Sequence, residues 1–245
     1  MRKNYFTLIE LLIVVAIIGI LITLLLPSLA KAREKARIAV CASQQKQIGF
    51  AITAYTSNHN GKIPFNNSLG NGKERTWDDR LVPYDGRELP DNVLDGWVPH
   101  SYGFEQYICP SDESPKHSAR HKRSYSMTQG TKNGANTKRG IVQSTGATPW
   151  SIDIRKITDP SSTLAVAENH LSNNKLGCNS GDTLRVRTYH NNRLTDKYWG
   201  HEYWRSNYLL IDNSVRFMKP EETFLGIRGF WNCENQLDTM WDSRK

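Results

Sequence analysis

The 245-residue sequence predicts an α+β protein in which one long N-terminal helix, membrane-spanning over its first part, leads into a loop-rich head with a small antiparallel sheet. Three observations carry this reading. An apolar run fills Leu8 to Leu26, and helix-forming residues continue past it to about Asn58. Beyond that point, short apolar strands alternate with stretches rich in Gly, Asn and Ser.

The apolar run is interrupted only by Glu10, Gly19 and Thr23. At 1.5 Å per residue its length is roughly 28 Å, close to the hydrocarbon thickness of a bilayer. A charged group inside such a span costs roughly 2.5–3.5 kcal/mol at mid-bilayer, so Glu10 calls for a partner. Arg2 and Lys3 favour a cytoplasmic N-terminus, whereas Lys31, Arg33, Lys35 and Arg37 pull the other way. Charge counting therefore leaves the orientation open. An ordinary secretory signal cleaved after Ala30, at Ser28-Leu29-Ala30, is the competing reading. Against it stand the length of the apolar core and the carboxylate inside it.

Phe6-Thr7-Leu8-Ile9-Glu10, opening this helix after a short basic leader, resembles the signature of type IV prepilins and type II secretion pseudopilins. The resemblance implies a leader at 1–5, a transmembrane and assembly helix at 6–27, a helical stalk at 28–60 and a soluble head at 61–245. It implies cleavage between Tyr5 and Phe6 by a prepilin peptidase that methylates the new amine. Tyr5 departs from the family's usual Gly. In related filaments the carboxylate at the position of Glu10 is thought to meet the terminal ammonium of a neighbouring subunit. Opposite charges in a low-dielectric helical core attract strongly, while either alone is penalised. Pro27 falls where pilin helices commonly carry proline, and a kink or melted turn is expected from Leu24 to Pro27.

The stalk follows with Lys31 to Arg37, and Leu29, Ala32, Ala36, Val40, Ile48, Ile52 and Tyr55 mark one face. Asn58-His59-Asn60-Gly61 supplies a stop, with Gly61 able to take the left-handed conformation. The helix from Phe6 would be roughly 80 Å long.

Ala36 to Gly49, Cys109-Pro110-Ser111-Asp112, and Pro160-Ser161 running into a strand that ends at Glu168 resemble an envelope-protein group of planctomycete and lentisphaera type. That group carries a prepilin leader and a C-terminal His…Asp-Gly element. His201 and Asp212 stand in its place, with ten intervening residues instead of nine and Asn213 for the glycine. Thr163 to Ala167 reads as a strand, and Tyr208–Ile211 and Ser214–Met218 read as a hairpin around Asp212-Asn213. The stretches 66–75 and 130–146 read as loops.

Four widely spaced cysteines, Cys41, Cys109, Cys178 and Cys233, include no C-x-x-C pair, which disfavours zinc fingers and thioredoxin-like motifs. An even count beyond an export signal fits two disulfides, with three pairings possible and free buried thiols as the other reading. Cys41 with Cys109 and Cys178 with Cys233 is the pairing taken. Cys41 lies on the stem, and Cys109 opens the Cys-Pro step that should pack on it.

Catalytic and metal motifs are wanting. His117 and His121 stand four apart but beside Pro115, with no Glu to complete a metalloprotease pattern. His190, Asp196, His201 and Asp212 read as a structural hydrogen-bonded cluster. Some major pseudopilins bind calcium through C-terminal loop oxygens; here Asp182, Asp196 and Asp238 are scattered. Asp78-Asp79 and Glu221-Glu222 are adjacent and not expected to face each other across a substrate. No enzyme and no cofactor is therefore expected, with calcium binding by the head as the other reading.

Mean hydropathy is −0.58 despite the apolar N-terminus, so the head is distinctly polar. The net charge of +8 permits contact with acidic lipid, polysaccharide or nucleic acid. With no dense basic run after Arg37, it reads as a solvated surface and nucleic acid is not an expected partner. Trp77, Trp97, Trp150, Trp199, Trp204, Trp231 and Trp241 read as packing residues, with a sugar- or polymer-binding platform as the other reading.

The expected function is a pilin-like structural subunit of a type II secretion pseudopilus or type IV pilus. It would be held single-pass in the inner membrane with its head in the periplasm or on the cell surface. Expected partners are the prepilin peptidase/methyltransferase, other pilin-like subunits, an inner-membrane assembly platform and lipid. The other reading is a membrane-tethered envelope protein that binds polysaccharide or DNA.

Overall fold

The computed structural model describes residues 7–70, 73–94, 96–102, 104–116, 119–129, 132–133, 137–138, 140–143, 150–177, 183–184, 200–201, 204–224 and 239–243. Helix α1 (Leu8–Asn58) runs unbroken for 51 residues. Thr7, in extended conformation, caps its N-terminus. The Glu10 amide donates to Thr7 Oγ1 at 3.3 Å, and Glu10 Oε2 accepts from the Thr7 amide and hydroxyl at 2.8 Å. This reciprocal box satisfies amides that have no partner within the helix.

Pro27 sits inside α1 without a break. The melted turn expected at Leu24–Pro27 is therefore absent. A proline removes one N–H, and the helical bonds on either side continue across that single gap. At the other end His59 caps the helix and Gly61 takes a positive φ of 77°.

The two halves of α1 differ in what surrounds them. From Leu8 to Leu26 every aliphatic side chain is exposed, and the most apolar 18-residue window has mean hydropathy 3.1. Further along, Cys41, Gln45, Ile48, Ile52 and Tyr55 are buried at alternating spacings of four and three. The lower part of the expected stripe, Leu29, Ala32, Ala36 and Val40, is exposed instead. The head grips the face that carries Glu34, Ile38 and Cys41, and Val40 sits about 100° around the helix from Cys41.

The head contains β1 (Asn67–Gly70), β2 (Lys73–Arg75), β3 (Tyr125–Thr128), β4 (Lys132–Asn133), β5 (Thr137–Lys138), β6 (Val142–Gln143), β7 (Trp150–Ser151), β8 (Leu164–Glu168), β9 (Thr183–Leu184), β10 (Ser206–Leu210) and β11 (Val215–Met218). Stretches read as loops from their composition thus hold strands: β1 pairs with β2, β4 with β5, and β6 with β7, which lies just beyond the second stretch. Backbone pairing is made by main-chain groups and tolerates polar side chains, so polarity alone misleads there.

The main sheet has the order β11-β10-β8-β3-β9, antiparallel except for β3 against β9. On one side α1 packs against it, where Ile48, Ile52 and Tyr55 share a cluster with Tyr125, Met127, Val166 and Leu209. On the other, Tyr208, Leu210, Leu164 and Ala167 pack with Met240 and Trp241. Burial on both faces explains the nearly continuous apolar runs of β8 and β10. Each fully buried aliphatic side chain in these layers contributes about 1.5–3 kcal/mol. The upper stalk is therefore a core element of the head, and the lower stalk is not.

Candidate functional site

Where stalk meets head, ionisable and sulfur-bearing side chains gather out of solvent. Helix α1 places Glu34, Ile38, Cys41 and Gln45 on one face, at spacings that bring each nearly over the last. Cys109 follows the 3-10 turn Glu105–Tyr107 and is joined to Cys41 by a disulfide, with Cα atoms 5.1 Å apart. Gln44 fixes that turn beside the stalk: its amide nitrogen donates to Glu105 O at 2.9 Å, and its oxygen accepts from the Tyr125 hydroxyl at 2.6 Å.

The sheet supplies the other wall. Glu168 ends β8, and Asn207 comes from the neighbouring β10. His201 precedes β10, its amide donating to Arg205 O at 2.8 Å. The turn into it depends on Gly200, whose φ is 73° and where a Cβ would come 2.8 Å from Arg205 O. The rings of His170 and Phe217 stand edge-on to His201.

His201 is the hub. Its Nδ1 lies 3.1 Å from Glu34 Oε1, its Nε2 lies 3.1 Å from Glu168 Oε1, and Cys109 Sγ is 3.6 Å from the same Nε2. Burial disfavours the charged ring, but hydrogen bonds and charge from Glu168 and then Glu34 lift its pKa above the ordinary 6.5. Two carboxylates facing two ring nitrogens are best satisfied when both nitrogens donate. Asn207 Nδ2 donates to Glu168 Oε1 at 2.9 Å and to Ile38 O at 3.2 Å, while Gln45 Nε2 donates to Asn207 O at 2.9 Å. Glu168 Oε2 is buried without a hydrogen-bond partner among the described residues. The junction thus ties stalk to head three ways, by a covalent bond, by charge and by hydrogen bonds to the helix backbone.

The structure places the sequence-predicted residues as follows. Glu10 lies at the start of α1, turned onto Thr7. Cys41 and Cys109 are bonded together. His201 meets Glu34 and Glu168 rather than Asp212, because Asp212 spends its Oδ1 on the amide and hydroxyl of Ser214 within its own turn. Asn213 takes φ 66° there, the conformation the family's glycine would supply. His121 is buried and bonded to backbone, not paired as a ligand. Asp78 and Asp79 do converge: both accept from Thr76 Oγ1 at 2.7 Å, because the chain turns at this point instead of extending. Burial and then Asp78 push the Asp79 carboxyl well up, while Asp78 pairs with Arg123. Trp77 and Trp241 are core residues, whereas Trp97 and Trp204 are exposed. Tyr5, Phe6, His117, Cys178, Asp182, His190, Asp196, Trp199, Trp231, Cys233 and Asp238 lie outside the described residues.

Sequence reasoning missed Glu34 and Asn207 as members of the site. The available signal for Glu34 was its place as the one acid among Lys31, Arg33, Lys35 and Arg37, seven residues before Cys41 and so on the same helix face.

Comparison with known proteins gives two matches. A family described as a protein of unknown function (DUF1559) matches residues 30–179, more than half of the chain, a span that includes Glu34, Cys41, Cys109 and Glu168 of the junction but not His201 or Asn207. A stretch of 64 residues, 26% of this chain, is 34% identical to the ComG operon protein 3 homolog of Bacillus licheniformis. The aligned part spans 66% of that protein's length. No solved structure matches.

Proposed function

The chain belongs to the DUF1559 family of type II pseudopilin-like proteins, and on that premise we propose that it is a structural subunit of a type II secretion pseudopilus or type IV pilus, polymerising through α1. One observation carries the reading: a single unbroken helix is core at one end and apolar on every side at the other. A helix apolar all round has no solvent face, so it needs lipid or the helices of other subunits as surroundings.

In this reading the prepilin peptidase/methyltransferase cuts between Tyr5 and Phe6, and the helix holds the subunit single-pass in the inner membrane with its head outside. Extraction into the filament brings the amine of one subunit to Glu10 of the next, in place of the Thr7 hydroxyl that Glu10 now holds. Other pilin-like subunits and an inner-membrane assembly platform are the partners. The protein is structural rather than enzymatic. The junction's task is to fix the angle of the head on the stem, so that a helical array of stems presents heads in one register.

The test is mild detergent extraction of tagged full-length chain from the envelope, with identification of what copurifies. Pilin-like subunits or an assembly ATPase platform in the eluate support the proposal. A chain recovered alone, from cells in which a known filament subunit copurifies normally, overturns it.

A further inference from the structure

We propose that, with Cys41 and Cys109 in the thiol form, the junction binds one zinc-class divalent cation through Cys41 Sγ, Cys109 Sγ, His201 Nε2 and a Glu168 carboxylate oxygen. The inference is independent of the filament reading. All four side chains are buried, and their sulfur, nitrogen and oxygen atoms lie within 4.8 Å of one another. A tetrahedral zinc site with Zn–S near 2.3 Å and Zn–N near 2.0–2.1 Å has ligand-to-ligand edges of roughly 3.3–3.8 Å. Cys109 Sγ to His201 Nε2 already measures 3.6 Å, and His201 Nε2 to Glu168 Oε1 measures 3.1 Å. The two sulfurs have to part to such an edge once the bond between them is broken, and rotation about their Cα–Cβ bonds moves them within a group whose ligand atoms already lie within 4.8 Å of one another.

The surroundings are those of a metal centre as well. A ligating imidazole ordinarily gives its second nitrogen to a carboxylate, which fixes the ring and its tautomer. Here Glu34 Oε1 stands 3.1 Å from His201 Nδ1, leaving Nε2 for the cation. The ligating carboxylate is oriented in turn by Asn207 Nδ2 at 2.9 Å, which is held to Ile38 O of the stalk. Glu168 Oε2, which has no hydrogen-bond partner among the described residues, is a buried acceptor with capacity to spare. Two sulfurs, one imidazole and one carboxylate suit zinc, whereas calcium and magnesium take all-oxygen shells.

The two states exchange with a defined balance. Cleaving the Cys41–Cys109 bond takes two electrons and two protons from a dithiol reductant, which becomes a disulfide. Binding the cation then releases the two thiol protons and the His201 Nε2 proton to water. In the other direction a disulfide oxidant forms the bond by thiol–disulfide exchange and the cation leaves. A newly made chain carries thiols, so the cation state precedes the disulfide state. Either linkage ties the same stalk residue to the same head residues.

The test uses the full chain in detergent micelles, reduced with a phosphine under anaerobic conditions and titrated with cobalt(II) chloride, then zinc chloride. It is run on the wild type and on a C178S/C233S variant, in which Cys41 and Cys109 are the only sources of thiolate. Expected are one cobalt per chain, a thiolate-to-cobalt charge-transfer band with tetrahedral visible bands, and displacement by zinc. The air-oxidised wild type should show none of these. His201→Ala and Glu168→Gln should weaken binding by at least about 100-fold, and Glu34→Gln, which alters a supporting residue, by about 10–100-fold. Absence of the thiolate band in the reduced wild type overturns the proposal, and so does an undiminished band in His201→Ala.

Discussion

Gly49 of the stalk lies directly under Asn213 of the β10–β11 turn: a Cβ built at Gly49 would overlap Asn213 Oδ1 and come 3.0 Å from Leu209 Cδ1. Glycine in a helix interior costs about 1 kcal/mol relative to alanine, so its use here answers to packing. Gly49→Ala should lower the stability of the head by about 1–3 kcal/mol despite the better helix former. Asn213→Gly, compatible with the positive φ at that turn, should recover part of the loss in the double variant. Denaturant unfolding of the full chain in micelles measures both. A Gly49→Ala chain as stable as wild type would show that the stalk does not pack on the turn.

Processing is predicted at Tyr5–Phe6. N-terminal sequencing of protein extracted from the envelope should begin at Phe6 with a methylated amine. A start at Lys31 would mean a conventional signal peptide and would end the pilin reading.

Glu10 is predicted to matter for assembly and not for folding. Its only partner in the described chain is Thr7, within its own helix cap, and the head does not touch it. Glu10→Ala should therefore insert and fold normally yet leave filaments, whereas Glu10→Asp should be intermediate because its charge remains with less reach. A purely structural helix gives the reverse order, with Ala neutral and Asp worst. The readout is filament or secretion output at matched membrane levels, and wild-type output from Glu10→Ala would rule out the ion pair.

Replacing Cys41 and Cys109 together by Ser should cost the oxidised head about 2–4 kcal/mol, since the bond spans a sequence separation of 68 residues. Peptide mapping without reduction should recover the Cys41–Cys109 pair. A crossed pairing with Cys178 or Cys233 would contradict the arrangement described here.

Acid should weaken the head through His121. Its Nε2 accepts from the Phe104 amide at 2.8 Å, and its Nδ1 donates to Lys122 O at 3.0 Å, a pattern only the neutral ring satisfies. Burial, and then His100 and Arg87, hold its pKa below the ordinary 6.5 against the opposing pull of the Lys122 carbonyl and Glu105. The unfolded chain therefore takes up this proton at a higher pH than the folded one. The stabilisation is complete above pH 6.5 and is lost as pH falls below it, with a slope of at most about 1.4 kcal/mol per pH unit. Comparing unfolding midpoints of wild type and His121→Gln across this range isolates the effect. A ring that protonates at or above pH 6.5 in an NMR titration of the folded chain would contradict it.

The long helix was legible because its determinants are local: an apolar run, helix-forming residues after it and a stop at Asn58–Gly61. The β10–β11 hairpin was legible for the same reason. The junction was not. Its ion pairs join residues 167 and 33 positions apart, and no spacing rule reaches across those distances. His201 and Glu168 were each visible as motif residues, but Asp212 looked like the natural partner until its own turn claimed it. The stalk's buried face was misjudged because Cys41, Gln45 and Gly49 interrupt the aliphatic pattern. Each does so for a reason that only the folded head supplies: a disulfide, a bond to Asn207, and the approach of Asn213.

Joining Cys41 to Cys109 also sets the route by which tension would travel through the subunit. Pulling the anchor against the central sheet loads the stalk as far as Cys41, crosses the sulfur bridge, and reaches β3 at Tyr125 within 16 residues. Residues 42–108 lie outside that shortest covalent path. The upper stalk and the β1–β2 ribbon are thereby shielded, and the head can bear a pull on its stem without first peeling away from the top of it.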